Sequence, residues 1–159
     1  MLTWLEETGL SLWLRESPSI WSLPTVLTLH TMGMGVVVGA SWMLDLRVLG
    51  INGHLPLARF RWVFPVAGVG LIVNLITGVL LFIKNPTIWA TSIPFLIKMG
   101  LVLGSVATLL PLRSLVLGPS AEQLETGSTV QSARIWAIAS ILAWTGAVTA
   151  GRLLAYVQP

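Results

Sequence analysis

The chain has 159 residues, of which 55% are hydrophobic and only 9% are charged, and its mean hydropathy is +0.85. Soluble domains carry about 25% charged residues, so this composition excludes an ordinary soluble fold and indicates a protein that uses the bilayer as its solvent. Without cysteine, the chain can form no disulfide, thiolate metal site, iron–sulfur cluster or covalently attached c-type haem. The formal net charge of +3 is attributed to topology and contact with anionic lipid, and no nucleic-acid partner is expected.

The N-terminal segment, residues 1–17, is predicted to be a short amphipathic helix that lies in the membrane interface. Four of its apolar side chains can share one helical face: Leu5, Leu10, Trp13 and Leu14. Ser17-Pro18-Ser19 then ends that helix and allows another to begin. The chain is thereby divided into an interfacial segment and a transmembrane domain of residues 18–159. The alternative for residues 1–17 is a frayed tail.

Four apolar segments follow, each with at least the roughly 20 residues that a helix needs to cross a bilayer. They cover residues 20–44, 62–83, 92–115 and 133–157. The predicted fold class is therefore all-α, a polytopic bundle of four transmembrane helices. The polar loops of residues 45–61 and 118–132 connect span one to span two and span three to span four. Asp45, Arg47 and His54 are expected to be solvated in the first of these loops, which leaves no carboxylate inside a span.

Lysine and arginine are distributed unevenly between the two sides of this arrangement. The two polar loops and their flanks carry Arg47, Arg59, Arg61, Arg113 and Arg134, whereas the opposite side carries Arg15, Lys84 and Arg152. Short loops rich in Lys and Arg remain in the cytoplasm. Both termini are therefore predicted to lie outside.

His30 is an imidazole inside the uncharged first span. An ionisable residue in a membrane span is costly, so it is a candidate functional residue. Gly33, Gly35 and Gly39 follow it and remove side-chain bulk, which leaves room for a neighbouring helix or a flat ligand.

Rows of small residues mark further helix faces. Gly70, Asn74 and Gly78 are spaced by four in span two, Gly100 and Gly104 form a GxxxG in span three, and Ala143, Ala147 and Gly151 form a row in span four. Such rows allow membrane helices to approach closely.

Polar groups are expected to converge in the outer half of the bundle. With a rise of about 1.5 Å per residue, His30 and Lys98 both lie within roughly 15 Å of the outer ends of their helices, and Arg152 ends span four on the same side. Asn74 is placed near mid-membrane. We interpret His30, Gly33, Asn74, Lys98 and Arg152 as candidate cofactor-binding residues.

Haem b suits this set best. Its iron takes an axial imidazole, which His30 provides, and its ring needs an apolar slot. Its propionates need a cation such as Lys98 or Arg152. A site for a divalent metal ion is not predicted, because a second buried histidine and acidic ligands are not expected in the spans. A Cu(I) site would need Met32, Met34 and Met43 as soft ligands. The other alternative is that His30 bonds a neighbouring helix and Lys98 extends to the headgroups.

Four stretches carry a resemblance to known proteins: LHTMGMGVVVG in span one, DLRVLG after it, PVAGVGLIVNLITGVLLF in span two and FLIKMGLVL in span three. With them the chain resembles a family of small, uncharacterised bacterial four-helix membrane proteins. It is more distantly similar to the copper-resistance D membrane domain and to the HemJ-type protoporphyrinogen oxidases. The latter pair a first-helix histidine with a third-helix lysine in K-x-x-L-V. The resemblance implies a bacterial inner-membrane location, His30 as an axial ligand and Lys98 close to the cofactor.

The favoured function is therefore haem b binding in electron transfer or haem-related redox chemistry. The alternative is a cofactor-free structural subunit that packs its small-residue faces against partners in a larger membrane complex. A homo-oligomer would use the same faces. A porphyrinogen-oxidising enzyme follows only from the distant resemblance, and a transporter is disfavoured because four spans in one copy enclose little space.

Overall fold

The structure is a computed structural model that describes residues 2–117, 128–154 and 156. All regular elements in these residues are helices, in the order α1 Thr3–Glu6, α2 Gly9–Glu16, α3 Leu23–Val48, a 3-10 helix Leu57–Trp62, α4 Val63–Lys84, α5 Pro86–Thr91, α6 Ile93–Leu117 and α7 Ser128–Leu153. Four of them, α3, α4, α6 and α7, are long and apolar enough to cross a membrane. The predicted all-α, four-helix membrane fold is confirmed.

Two pairs of consecutive long helices make up the bundle. Helix α3 packs most extensively against α4, α6 packs against α7, and α3 also contacts α7 and so joins the two pairs. One apolar cluster includes Leu44, Val63 and Leu112, and a second includes Val37 and Trp144. Only 11% to 33% of the apolar window of each long helix is buried inside the protein. Most of the apolar surface therefore faces outward, where lipid covers it.

Helix α3 extends beyond the end predicted for span one. The prediction that Asp45 and Arg47 are solvated loop residues is wrong, because both lie in the last turn of α3 with 0% and 8% of their surface exposed. The helix ends where Gly50 adopts a φ of +108°. Arg47 is accommodated because its Nε donates to Leu55 O at 2.6 Å and its Nη2 donates to Gly53 O at 2.8 Å.

The glycine row of α4 lies against α3. A Cβ on Gly70 would be 2.9 Å from Val37 Cγ2 and 3.0 Å from Gly33 O, so the two backbones meet at this point. The row in α6 behaves differently, because a Cβ on Gly100 or Gly104 would meet nothing within 4 Å among the described residues. The GxxxG of span three therefore points away from the rest of the described chain, and the predicted packing contact is absent there.

The N-terminal segment folds as two short helices instead of one. Thr8 separates them and caps α2 by accepting from Ser11 N at 3.3 Å. Leu14 is buried and Leu10 and Trp13 are exposed, whereas Leu5 lies in the other short helix, so the predicted single helical face is divided between two helices. The segment docks on α4 and α5. Its position in the membrane interface stays a prediction.

Two of these docking contacts are polar. The Glu6 carboxylate accepts from the Thr87 hydroxyl and from Thr87 N, the latter at 3.3 Å, and Ser11 Oγ donates to Lys84 O at 3.4 Å. Of the predicted second polar loop, residues 118–127 lie outside the described residues, and residues 128–132 belong to α7.

Candidate cofactor site

The His30 imidazole lies at the seam between α3 and α4, about two turns into α3. It is partly buried, and its Nδ1 lies 3.0 Å from the hydroxyl oxygen of Thr77 in α4. The same hydroxyl lies 2.7 Å from Val73 O and 3.2 Å from Asn74 O. Thr77 therefore connects the imidazole to the backbone of α4.

These distances favour one assignment of the proton on the ring nitrogens of His30. A threonine hydroxyl has one proton to donate, and the Val73 carbonyl is its nearest acceptor. We therefore assign the proton of the neutral imidazole to Nδ1, which donates to Thr77. Nε2 keeps its lone pair, and no group in the described part of the chain forms a hydrogen bond with it. A histidine prepared in this way is in the form that binds a metal through Nε2.

A second hydrogen bond holds the backbone of the same residue. Asn74 Nδ2 donates to His30 O at 2.8 Å from a buried position. Asn74 and Thr77 are neighbours on one face of α4, so a single helix face fixes both the backbone and the ring of His30. The structure therefore places Asn74 as a residue that positions His30.

The absence of side chains at Gly33 and Gly78 brings α3 and α4 this close together. A Cβ on Gly78 would be 3.3 Å from His30 Cε1, so the ring lies directly over this glycine. Gly33 instead packs on the α4 backbone, where a Cβ would be 3.0 Å from Gly70 O. At Gly35 and Gly39 a Cβ would meet nothing within 4 Å in the described residues. The space beside the imidazole is thus provided mainly by Gly78.

Lys98 lies in α6, where it is partly buried, and its charge contributes to the electrostatic environment of His30. Its Cε and Nζ lie 3.5 and 3.6 Å from the position of a Cβ on Gly151. Gly151 therefore leaves room for the lysine chain. The proximity of His30 and Lys98 stays a prediction, and Arg152 is exposed beside Gly151.

Two residues of this arrangement were missed by sequence reasoning. Thr77 and Gly78 contact the imidazole directly, and only the row that contains Gly78 was recognised as a helix face. Thr77 follows Asn74 by three residues, which places it on that same face, so a signal was available. His54 is exposed in the loop after α3, as expected.

The ligands available here are one imidazole and one amine. Within residues 2–117 and 128–154, no group of three or more His, Cys, Asp or Glu side chains is placed to hold a metal ion.

In comparisons with known proteins, the chain matches no family model, no curated protein and no solved structure. The resemblance described above therefore stays a prediction. The chain is an integral membrane protein built on four apolar helices, with one oriented imidazole between the first two.

Proposed function

We propose that this membrane protein binds haem b through Nε2 of His30 and serves in electron transfer or haem-related redox chemistry. One observation carries the proposal. The Thr77 hydroxyl lies 3.0 Å from Nδ1 of His30 and donates to Val73 O, so in the assigned tautomer it accepts from Nδ1 and leaves Nε2 without a hydrogen-bond partner among the described residues.

The surrounding residues fit an axial histidine. Histidines that bind a metal donate their other ring N–H to an outer partner, which fixes the ring and increases ligand basicity. Thr77 fills this role, and Asn74 holds the backbone of His30 at 2.8 Å. Because Gly78 lacks a Cβ, the imidazole can lie directly over it. When bound, the haem iron supplies the capacity for one-electron transfer.

Lys98 gives the site its cation. An ammonium group has three donors and no acceptor capacity, and a haem propionate is a carboxylate that such a group binds well. Lys98 is therefore assigned to a propionate. Arg152 is exposed nearby and is assigned to the second propionate or to lipid headgroups.

The test is the visible spectrum of protein purified from cells supplied with haem precursor. The wild type should show a Soret band and, after reduction, α and β bands. His30→Ala should abolish or strongly shift these bands, whereas His54→Ala should leave them unchanged. Lys98→Ala should weaken haem binding less than His30→Ala does, because the iron–nitrogen bond remains. A folded wild-type protein without a chromophore would overturn the proposal.

The second candidate function is a cofactor-free structural subunit of a membrane complex or a homo-oligomer. The outward-facing glycines favour it. Gly100 and Gly104 leave an open strip on α6, and Gly35 and Gly39 leave another on α3, and such strips allow helices of a partner to approach closely. Gly104→Leu should then reduce the native mass of the purified particle without unfolding the chain. An unchanged mass would count against this candidate.

We further propose a location in the bacterial inner membrane with both termini outside. The support is the concentration of arginines, among them Arg59, Arg61 and Arg134, at the end of the bundle away from His30.

A further inference from the structure

Asp45 is a buried carboxyl at the end of the bundle opposite His30. Fifteen residues separate the two on α3, which is about 22 Å along a helix that rises 1.5 Å per residue. Asp45 is the only aspartate in the chain. Its side chain is 0% exposed, and neither of its oxygens has a hydrogen-bond partner among the described residues.

Ser140 in α7 is the polar side chain beside this carboxyl. It is also 0% exposed, and its Oγ likewise has no hydrogen-bond partner in the described residues. Ser41, one turn before Asp45, uses its own proton to bond Val37 O at 2.8 Å. The interface between α3 and α7 therefore holds two neighbouring polar groups that both lack a partner.

The cations near this end of the bundle are engaged elsewhere or lie at the surface. The guanidinium of Arg47 donates to the carbonyls of Leu55 and Gly53. Arg59 and Arg61 in the 3-10 helix, Arg113 in α6 and Arg134 in α7 are exposed. Among the described residues, an ionised Asp45 would thus be a buried charge with the Ser140 hydroxyl beside it and without a counter-ion, an arrangement that proteins avoid.

We propose that Asp45 and Ser140 form a proton-binding site between α3 and α7. One proton taken from the aqueous phase converts the carboxylate to a carboxylic acid, whose O–H donates to Ser140 Oγ. The proton removes the buried charge and leaves the two side chains as a hydrogen-bonded neutral pair. Hard metal ions such as Ca²⁺ take about six to eight oxygen ligands, more than the three oxygens of these two side chains. The proposal does not depend on haem binding at His30.

Because the chain has a single aspartate, a side-chain label reports on this site alone. Full-length protein should be made by cell-free synthesis with aspartate labelled with ¹³C at the side-chain carboxyl, and reconstituted in phosphatidylcholine vesicles. Infrared spectroscopy at neutral pH should show the isotope-shifted C=O band of a protonated acid. The exposed reference is the double variant D45N/N52D, which places the one labelled aspartate in the loop, and it should show carboxylate bands.

Ser140→Ala tests the hydrogen bond while keeping the labelled carboxyl. Its acid C=O band should move to the frequency of an acid with a weaker hydrogen bond. Carboxylate bands in the wild type at neutral pH would overturn the proposal. So would conversion of acid to carboxylate on replacing K⁺ with Na⁺, which would indicate a sodium site. An unmoved band in Ser140→Ala would remove Ser140 from the site.

Discussion

His30 is held at two points by one face of α4. Asn74 fixes its backbone carbonyl at 2.8 Å and Thr77 fixes its Nδ1 at 3.0 Å. The contact with Thr77 restrains the ring and the bond from Asn74 restrains the backbone before any ligand arrives. The cost of ordering it is therefore met during folding and does not reduce the affinity for a ligand.

Thr77→Val removes the acceptor of the Nδ1 proton while preserving shape. We expect haem affinity to fall by about 10- to 100-fold, the usual effect of losing an outer partner of a metal-binding histidine. Stability should fall by about 1–3 kcal/mol, because a buried N–H loses its bond. Haem titration and thermal unfolding measure the two effects. Thr77→Ser is the control and should retain both properties, and a Thr77→Val protein with wild-type affinity would contradict the assigned tautomer.

Gly78→Ala introduces a methyl group 3.3 Å from His30 Cε1. The imidazole must shift to accommodate it, so the haem spectrum should change and haem affinity should fall. The matched control is Gly104→Ala, where a Cβ has open space and a helix gains up to about 1 kcal/mol from the better helix former. The absorption spectrum should change in Gly78→Ala only, and the melting temperature should fall in Gly78→Ala and rise in Gly104→Ala. Identical behaviour would mean that Gly78 does not adjoin the ring.

At the scale of elements, the seam between α3 and α4 is defined by backbone contact. Gly33 and Gly70 meet with 3.0 Å between the carbonyl oxygen of each and the Cβ position of the other. The spacing of Gly70, Asn74 and Gly78 was sufficient to predict this face. It could not distinguish a face that meets a helix from one that meets lipid, and so Gly100 and Gly104 were given a contact within the chain that the structure lacks.

The end of α3 shows a second limit of sequence reasoning. From the sequence, Asp45 and Arg47 belong to the first polar loop. Burial of Arg47 depends on carbonyls six and eight residues later, at Gly53 and Leu55, and the position of Ser140 beside Asp45 depends on tertiary packing. Neither relation has a local sequence signal.

Gly70→Leu should separate α3 from α4. A Cβ there is already 2.9 Å from Val37 Cγ2, and inserting bulk into a packed interface costs about 1–3 kcal/mol. We expect a lower melting temperature in detergent and a weaker haem spectrum. Gly104→Leu is the matched control, and its monomer should melt like the wild type. Equal melting temperatures of the two variants would contradict the close contact between α3 and α4 at Gly70.

At the scale of the whole molecule, four spanning helices place both ends of the described chain on one side of the membrane. The short helices α1 and α2 dock at the end of the bundle formed by the end of α4 and by α5. The first loop, with Asn52 at its exposed turn, lies at the other end. Composition alone predicts this number of crossings, whereas the side on which the termini lie depends on the arginine distribution.

Because the chain has no cysteine, single cysteine variants report topology directly. Asn52→Cys should be protected from a membrane-impermeant maleimide in intact cells and become labelled after lysis. Trp21→Cys, at the exposed start of the first membrane segment, should be labelled in intact cells. The reverse pattern would invert the orientation.

The bond between His30 and haem iron is tested most directly by chemical rescue. His30→Gly removes the axial imidazole and leaves a cavity that free imidazole can enter. The account predicts that His30→Gly lacks the wild-type Soret and reduced α and β bands, and that added imidazole restores them when haem is supplied. A wild-type spectrum in His30→Gly without imidazole, or a wild-type protein that remains colourless with haem present, would contradict it.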